Sequence, residues 1–481
     1  MSLALSAVHR KRTPCHDDAR RPCWHSVSRH RRRGDTECQG DPAMSTGLAT
    51  LHTVATRKAM YRLLPIMGLA YFMSYVNRTN VALAKTQLEA DVGISAAAYG
   101  LGAGIFFLSY ALLEVPSNMV LHRIGARAWI TRIAVTWGIV SASMMFVQGE
   151  LSFYVLRFLL GAAEAGLYPA LMYMVTLWFA PQHRVTVVGL IYTAPALAII
   201  IGSPVGGALM LLDGAAGLYG WQWMFLVEGL VTVLIGAVVW FALPSRPQDA
   251  RWLSRAEADE LSARAGSGDR PSPARLRGNL GYAFGRPVIL VLSGLYFLNQ
   301  LIGSAVGFNV PSLIQALGVD SPLQIGLITG GLGIGALAGV LFFPWLHRRH
   351  VHDDTGLIVL CAVLATVTLG AYLTVTDPVW QIVMLYATNF FVIGTLPLFW
   401  SVAMSRMSGL MAAVGLAFVN MIGLTGSFVG PSVFGVLEGP AGDSAASFVF
   451  VLGACVAGIA VSVVLAVMVR RERVAGPTGA G

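Results

Sequence analysis

Between residues 61 and 469 the chain carries one apolar segment after another. Each is about as long as the ~20 residues an α-helix needs to cross a ~30 Å hydrocarbon core. They read as spans over 61–84, 98–121, 128–148, 152–178, 186–211, 222–243, 287–310, 323–346, 355–375, 379–403, 410–437 and 445–469. Lipid offers no hydrogen-bond partner to a backbone amide, so segments of this length must satisfy their own N–H and C=O groups as helices. Twelve of them make an all-α polytopic membrane protein. The composition agrees: 56% of the 481 residues are hydrophobic and 12% are charged, against about 25% charge in ordinary soluble domains.

The spans divide six and six. A polar loop at 244–286 separates an N-terminal six-helix bundle, 58–243, from a C-terminal one, 287–470, and a short tail follows at 471–481. Within the loop, Ser254 and Glu257 stand in a capping-box spacing that predicts a short helix to about Ala265. Gly266 to Pro273 reads as flexible. Residues 1–57 are rich in Arg, His and Ser and have no apolar periodicity, the composition of a disordered basic tail. Either this is a cytoplasmic tail or residues 1–43 reflect an upstream start, since Met44 would also give an ordinary N-terminus. The tail lacks the apolar stretch of a secretory signal. Its cysteines, Cys15, Cys23 and Cys38, have no paired zinc-ligand spacing, and no metal is expected.

Loop charges set the orientation. One alternate set holds His122, Arg123 and Arg127, then His183 and Arg184, the arginine-rich central loop, Arg348 and Arg349, Arg406, and Arg470, Arg471 and Arg473. The other holds Glu89, Asp91, Glu150, Asp213, Asp320, Asp377, Glu438 and Asp443, with Lys85 as its clear positive. The positive-inside rule then places both termini and the central loop in the cytoplasm of a bacterial inner membrane. The net charge of +9 is thus accounted for without nucleic acid. Small residues recur at matching places in the halves, as Gly202-Ser-Pro204-Val-Gly206-Gly207 in the fifth span and as Gly426, Gly430-Pro431 and Gly435 in the eleventh. They allow close helix approach and bends. Two such halves suit a secondary transporter with its site near the midplane.

The chemistry lies in charges placed where they are costly. An arginine inside a span costs ~2.5–3.5 kcal/mol on insertion scales and marks a pathway or site. Arg78 is such a residue, and Tyr71, Tyr75 and Arg78 share one helical face. In the fourth span Arg157, Gly161 and Glu164 likewise line one face. A glutamate in apolar surroundings can bind and release a proton at physiological pH; the competing reading is a static ion pair between helices. Two arginines facing one acid leave positive charge that an organic anion, held by a guanidinium fork, would neutralise. Glu114 and Glu228 read as structural hydrogen-bond partners. The second half offers uncharged groups, among them Asn299, Gln300, Asn309, Asn389, Trp400 and Asn420. There is no P-loop, no G-x-S-x-G elbow and no H-E-x-x-H, so ATP-driven pumping and these hydrolytic activities have no motif. His347, His350 and His352 lie in a basic loop and read as positive charge. No enzyme and no cofactor is expected, and the partners are a small organic anion, protons and the bilayer.

Several stretches resemble the major facilitator superfamily, and within it the anion:cation symporter family of hexuronate, galactonate, tartrate and phthalate transporters. They are Tyr75-Val-Asn-Arg78-Thr-Asn80, Tyr99 to Phe107, Glu114-Val-Pro-Ser-Asn118, Arg123-Ile-Gly-Ala-Arg127, Arg157 to Gly166, Gly220-Trp-Gln-Trp223 with Glu228-Gly229, and Asn420 through Gly430-Pro431. The match runs from Tyr61 to Arg470 and is stronger in the first half. The resemblance implies a proton-coupled importer of organic anions working by alternating access; a monomer is expected. It implies that Arg78 grips the substrate carboxylate with Tyr75 and Asn77 beside it, and that Trp400 and Asn420 contact substrate from the second half. It further implies that Glu164 couples protons in linkage with Arg157, and that Arg123 and Arg127 belong to a cytoplasmic gate. Two positions depart from the family pattern. The aspartate common before the first-span arginine is Asn77 here, which cannot titrate and opens the alternative of an uncoupled facilitator, an exchanger or a non-transporting sensor. The acid of the gate motif is His122, and the motif's second copy, at Pro344-Trp-Leu-His-Arg348, is eroded as well.

Overall fold

The computed structural model describes residues 42–265, 287–351, 353–406, 409–438 and 443–475. The expected tail as far as residue 41, the Gly266–Pro273 stretch, His352 and the side chain of His122 lie outside the described residues and side chains. Residues 1–47 and 48–481 are separate units, and the membrane-spanning bundle belongs to the second.

The first span is Pro42–Asn80, the second Ala96–Ile124, the third Ala126–Ser143. The fourth is broken into Glu150–Glu164 and Leu167–Trp178. The fifth runs in pieces, Pro181–Ile191, Ala194–Leu197 and Ser203–Met210, and the sixth is Gly220–Ala242. The second half repeats the plan with Pro287–Gly307, Pro322–Arg349, Asp354–Thr374, a tenth span in two pieces (Pro378–Gly394 and Leu396–Ser405), Gly409–Leu437 and Ala445–Ala475. Among the described residues, eleven helices are long and apolar enough to cross a membrane. The first span makes the twelfth segment and stays outside those eleven. Asn77, Arg78 and Asn80 dilute its apolar run.

The first helix starts at Pro42, so residues 42–57, expected as tail, are helical. Composition explains the difference. From Leu48 the sequence turns Ala- and Thr-rich, and Ala55 and Ala59 are buried together with His52 and Thr56. The His52 ring lies 5.7 Å from that of His183.

The expected capping box is present. Ser254 Oγ accepts from the Glu257 amide at 3.2 Å, Glu257 Oε2 accepts from the Ser254 amide at 2.9 Å, and the helix runs Arg255–Ala265. Lys58 of the first span reaches Glu257 at 2.6 Å. That hydrogen bond, with the Ser254 amide, holds the Glu257 carboxyl below its usual range. The linker helix is thereby docked on the first half.

Closure between the halves is confined by small residues. A Cβ on Gly435 would lie 2.3 Å from the Ala96 carbonyl oxygen, and one on Gly207 would lie 2.3 Å from that of Pro322. Only glycine permits these approaches of the second span to the eleventh and of the fifth to the eighth. Both contacts lie at the face opposite the linker helix. At the same face Lys85 is buried and donates to Glu438 at 2.6 and 2.8 Å and to Asn309 Oδ1 at 2.8 Å, with its ammonium over the Tyr99 ring at 5.5 Å. Tyr99 itself donates to the Phe308 carbonyl at 3.0 Å. Among the described residues, the ion pairs on the linker face stay within one half or join the linker: Lys58–Glu257, Arg264–Glu260, His347–Asp354, Arg406–Glu472 and Arg470–Asp353. The protein is locked at one face.

Breaking a buried pair strands its partner and costs about 3–5 kcal/mol. Lys85→Met is therefore expected to release the lock. Spin labels at the exposed residues Glu89 and Asp320 should show a longer and broader distance distribution in this variant than in the parent.

Candidate functional site

The site is organised by a break in the fourth span. Its first helix ends at Glu164, Ala165 is extended, and Gly166 takes φ +92° before the second helix begins. An L-residue resists that conformation. A Cβ there would also lie 2.1 Å from Ser117 Oγ, which donates to the Ala165 carbonyl at 2.7 Å and so satisfies a group the break releases. The break leaves the fully buried Glu164 carboxylate at a helix C-terminus, where the helix dipole opposes negative charge. Positive charge must come from elsewhere, and Arg78 supplies it.

Glu164 Oε1 accepts from Arg78 Nε at 2.8 Å, from Arg78 Nη2 and from Ser74 Oγ at 2.6 Å. Oε2 is buried and has no hydrogen-bond partner among the described residues. Glu164 takes the side edge of the guanidinium, formed by Nε and Nη2, and the Tyr110 side chain is a further partner of the same group. Arg78 Cζ lies over the rings of Tyr110, Tyr75 and Phe106 at 4.9, 5.1 and 5.2 Å. This stacking compensates a cation removed from water.

Arg157 lies within electrostatic reach of Glu164 but forms no ion pair with it. Its guanidinium, 1% exposed, donates to the carbonyls of Gly102 and Ala103 at 3.2 Å each and covers the Phe106 ring at 4.9 Å. A shared helix face states which residues are neighbours along one helix; it leaves open which of two arginines reaches the acid. The carbonyls of the second span claim Arg157, and Arg78 takes Glu164.

Asn77 makes no hydrogen bond with Arg78 or Glu164. Its amide donates to the Met73 carbonyl at 3.0 Å and to Thr232 Oγ1 at 3.2 Å, and accepts from Ser141 Oγ at 2.6 Å. This knot ties the first, third and sixth spans together. A carboxylate could not donate to Met73, which gives an amide a physical reason to stand where the family pattern carries an acid. Asn77→Asp is therefore expected to destabilise the protein by about 1–3 kcal/mol, which thermal unfolding of the variant checks.

Asn80 donates to the Gly202 carbonyl at 3.2 Å and to the buried Glu228, so Glu228 has the structural role expected of it. Glu114 does not. It is half-buried, makes no hydrogen bond among the described residues, and lies within electrostatic reach of Arg78, Tyr110 and Tyr296. Tyr110, Tyr168, Tyr192 and Tyr296 escape a reading of the sequence, since a tyrosine in an apolar span looks like core. Their recurrence at mid-span in several helices is the available signal. Tyr71 meets Tyr75 edge-on at 5.2 Å and Tyr168 at 5.8 Å, and the Tyr168 and Tyr192 hydroxyls are 2.9 Å apart. From the second half Tyr296, in electrostatic reach of Tyr75 and Tyr192, packs on Trp400 at 5.1 Å. Trp400 is a neighbour of Tyr296, and no contact among the described residues ties it to Arg78. Asn420 is half-buried on the eleventh span, and no contact ties it to Arg78. Arg127 stacks over Trp240 at 5.6 Å and Arg123 is exposed; among the described residues neither forms an ion pair across the halves.

Residues 67–431 match the family model of the Major Facilitator Superfamily. A putative tartrate transporter of Agrobacterium vitis is 37% identical over 415 residues, covering 86% of this chain and 95% of the relative. A quinolone resistance transporter of Acinetobacter baumannii is 33% identical over 419 residues, 87% and 96% of the two chains. Among solved structures, a bacterial homologue of the human lysosomal transporter Spinster, in an inward-facing and occupied conformation, superposes with a TM-score of 0.68 at 16% identity, over 84% of this chain and 95% of that one. With this fold, a buried Arg–Glu pair at its centre, and relatives consistent with the anion:cation symporter type, the chain belongs to the Major Facilitator Superfamily and is a membrane transporter rather than an enzyme.

Proposed function

We propose that this chain imports a small organic anion, a sugar acid or another carboxylate, together with a proton, by alternating access across a bacterial inner membrane. The observation that carries the reading is the sharing of Arg78. Glu164 uses its side edge, and the end-on edge is the one a second carboxylate would take. A substrate carboxylate on that edge makes two anions on one cation. A proton on Glu164 Oε2, the oxygen without a partner, restores neutrality, so substrate and proton travel together. Glu114 and the Tyr75, Tyr110, Tyr296 and Trp400 rings form the rest of the binding surface.

The positive loops put the linker and both termini in the cytoplasm. On that orientation the Lys85 lock closes the periplasmic face, and the arrangement supports an inward-facing state. Arg123 and Arg127 would engage the other half when the cytoplasmic face closes. The hydrogen-bonded knot around Asn77 supports a structural role for that amide and leaves Glu164 as the titratable group beside Arg78.

Proteoliposomes loaded at alkaline pH and diluted into acidic medium with labelled carboxylates test the proposal. Accumulation of a carboxylate that collapses with the pH gradient is expected. Outward movement of a cationic amphiphile, with none of the labelled carboxylates accumulated, would overturn the proposal in favour of an exporter.

A further inference from the structure

We infer that Lys85 is a carboxylate-binding entry site at the periplasmic mouth, where the protein's own Glu438 holds the place of the incoming anion. This rests on the anion-import reading above. The loops of that face carry Glu89, Asp91, Glu150, Asp213, Asp320, Asp377, Glu438 and Asp443, and Lys85 is the one cation among them. Such a mouth repels an anion on approach. Its single lysine is nevertheless withdrawn from the surface. Lys85 is 3% exposed and heads the short helix Lys85–Val92. Its ammonium donates to both oxygens of Glu438, at 2.6 and 2.8 Å, and to Asn309 Oδ1 at 2.8 Å, and it lies over the Tyr99 ring at 5.5 Å. The Asn309 amide nitrogen is held by the Ala305 carbonyl at 2.8 Å, which aims Oδ1 at the ammonium. A buried ammonium with a carboxylate on it, an amide oxygen beside it and a ring face beneath it is a built carboxylate site. Its occupant is Glu438.

The partners divide by half. Lys85 and Tyr99 belong to the first half, Asn309 and Glu438 to the second. Parting the halves at this face removes both oxygen partners together and leaves the lysine lining the new opening. Stranding one member of a buried pair is the costly way to break it. A carboxylate from outside restores the lost contact without rejoining the halves, so the anion stabilises the open mouth. The second span then leads inward. Tyr99, Phe106 and Tyr110 fall on one stripe of its helix. That stripe carries the cations in order. Lys85 lies over Tyr99, Arg157 over Phe106 at 4.9 Å, and Arg78 over Phe106 and Tyr110 at 5.2 and 4.9 Å. Arg157, held by the carbonyls of Gly102 and Ala103, adds positive potential rather than a contact. Tyr99 and Phe106 are about 10 Å apart along the helix axis, so an anion released from Lys85 moves down a line of positive charge toward Arg78.

The test measures initial uptake of labelled succinate, L-tartrate, D-gluconate and benzoate by proteoliposomes of the full chain, at low ionic strength and under an inward pH gradient. For a carboxylate that the parent carries, Lys85→Gln is expected to raise KM at least tenfold and to flatten its dependence on added potassium chloride, because a charge at the rim acts on encounter and on salt dependence. Lys85→Arg, which keeps a cation, should stay within about threefold of the parent. Glu438→Gln weakens the same lock but keeps the ammonium and removes its competing charge, so its KM should equal the parent's or fall below it. Spin-label distances between Glu89 and Asp320 should lengthen in both Lys85→Gln and Glu438→Gln, which separates loss of the lock from loss of the cation. An equal rise of KM in those two variants would overturn the inference and leave Lys85 as a lock alone, as would a Lys85→Gln KM within twofold of the parent. Should Lys85→Gln not reconstitute, Glu438→Gln decides by itself, and a KM raised threefold or more in that variant overturns the site. Uptake of none of the four by the folded parent would overturn the carboxylate reading itself, and this inference with it.

Discussion

Replacing Glu164 by glutamine is expected to abolish gradient-driven accumulation while sparing exchange. With one proton carried per monovalent anion and the membrane potential clamped at zero, each pH unit across the membrane supports up to about tenfold accumulation, because a pH unit is worth 1.36 kcal/mol. Glutamine keeps an oxygen that can accept from Arg78 and Ser74, so the local geometry has a replacement for the Oε1 contacts. It cannot take a proton on the other atom. The accumulation ratio of the variant should fall to about one at any gradient, whereas counterflow of labelled against unlabelled substrate continues. Anion binding in the variant should be at least as tight as in the parent, because a competing negative charge has left the guanidinium. Parent-level accumulation by Glu164→Gln would remove the acid from coupling.

The second large effect belongs to Arg78→Lys. An ammonium conserves the charge and can still pair with Glu164. It lacks the planar fork, cannot present two parallel N–H groups to a carboxylate while holding another, and does not stack on Tyr75, Tyr110 and Phe106 as a flat cation does. Loss of a charged hydrogen bond costs about 1.5–3 kcal/mol, so carboxylate affinity should drop on the order of ten- to a hundredfold, with transport falling in parallel. Calorimetric titration of the folded variant checks this. Affinity within a factor of two of the parent would show that Arg78 serves the fold and not the ligand.

The two residues on which these outcomes depend are legible in the sequence, because a charge inside an apolar span demands a reason. The number and order of the spans are legible too, and so is the linker helix, whose start is written in Ser254 and Glu257. Partnership is not. Helical periodicity places Arg157 and Glu164 on one face, yet the contact forms between Glu164, the last residue before the break at Ala165 and Gly166, and Arg78, from another helix. That break rests on one glycine and on Ser117, 48 positions before the carbonyl it satisfies, a long-range pairing no local pattern reports. Asn77 shows the same limit from the other side. Its neighbour Arg78 suggests a shared site, but adjacent residues on a helix point about 100° apart, and the amide goes into the bundle. The tyrosines are hidden because their ring and hydroxyl speak for core and for site alike, and only assembly of several helices shows them converging.

Sharing of Arg78 between Glu164 and the substrate is tested most directly by counting protons. In weakly buffered solution near neutral pH with a pH indicator, saturating the purified transporter with its carboxylate should take up about one proton per molecule bound, by linkage between ligand and proton binding. The Glu164→Gln variant should bind the same ligand and take up none. Substrate binding without proton uptake in the parent, or equal uptake in the variant, would contradict the shared-arginine mechanism.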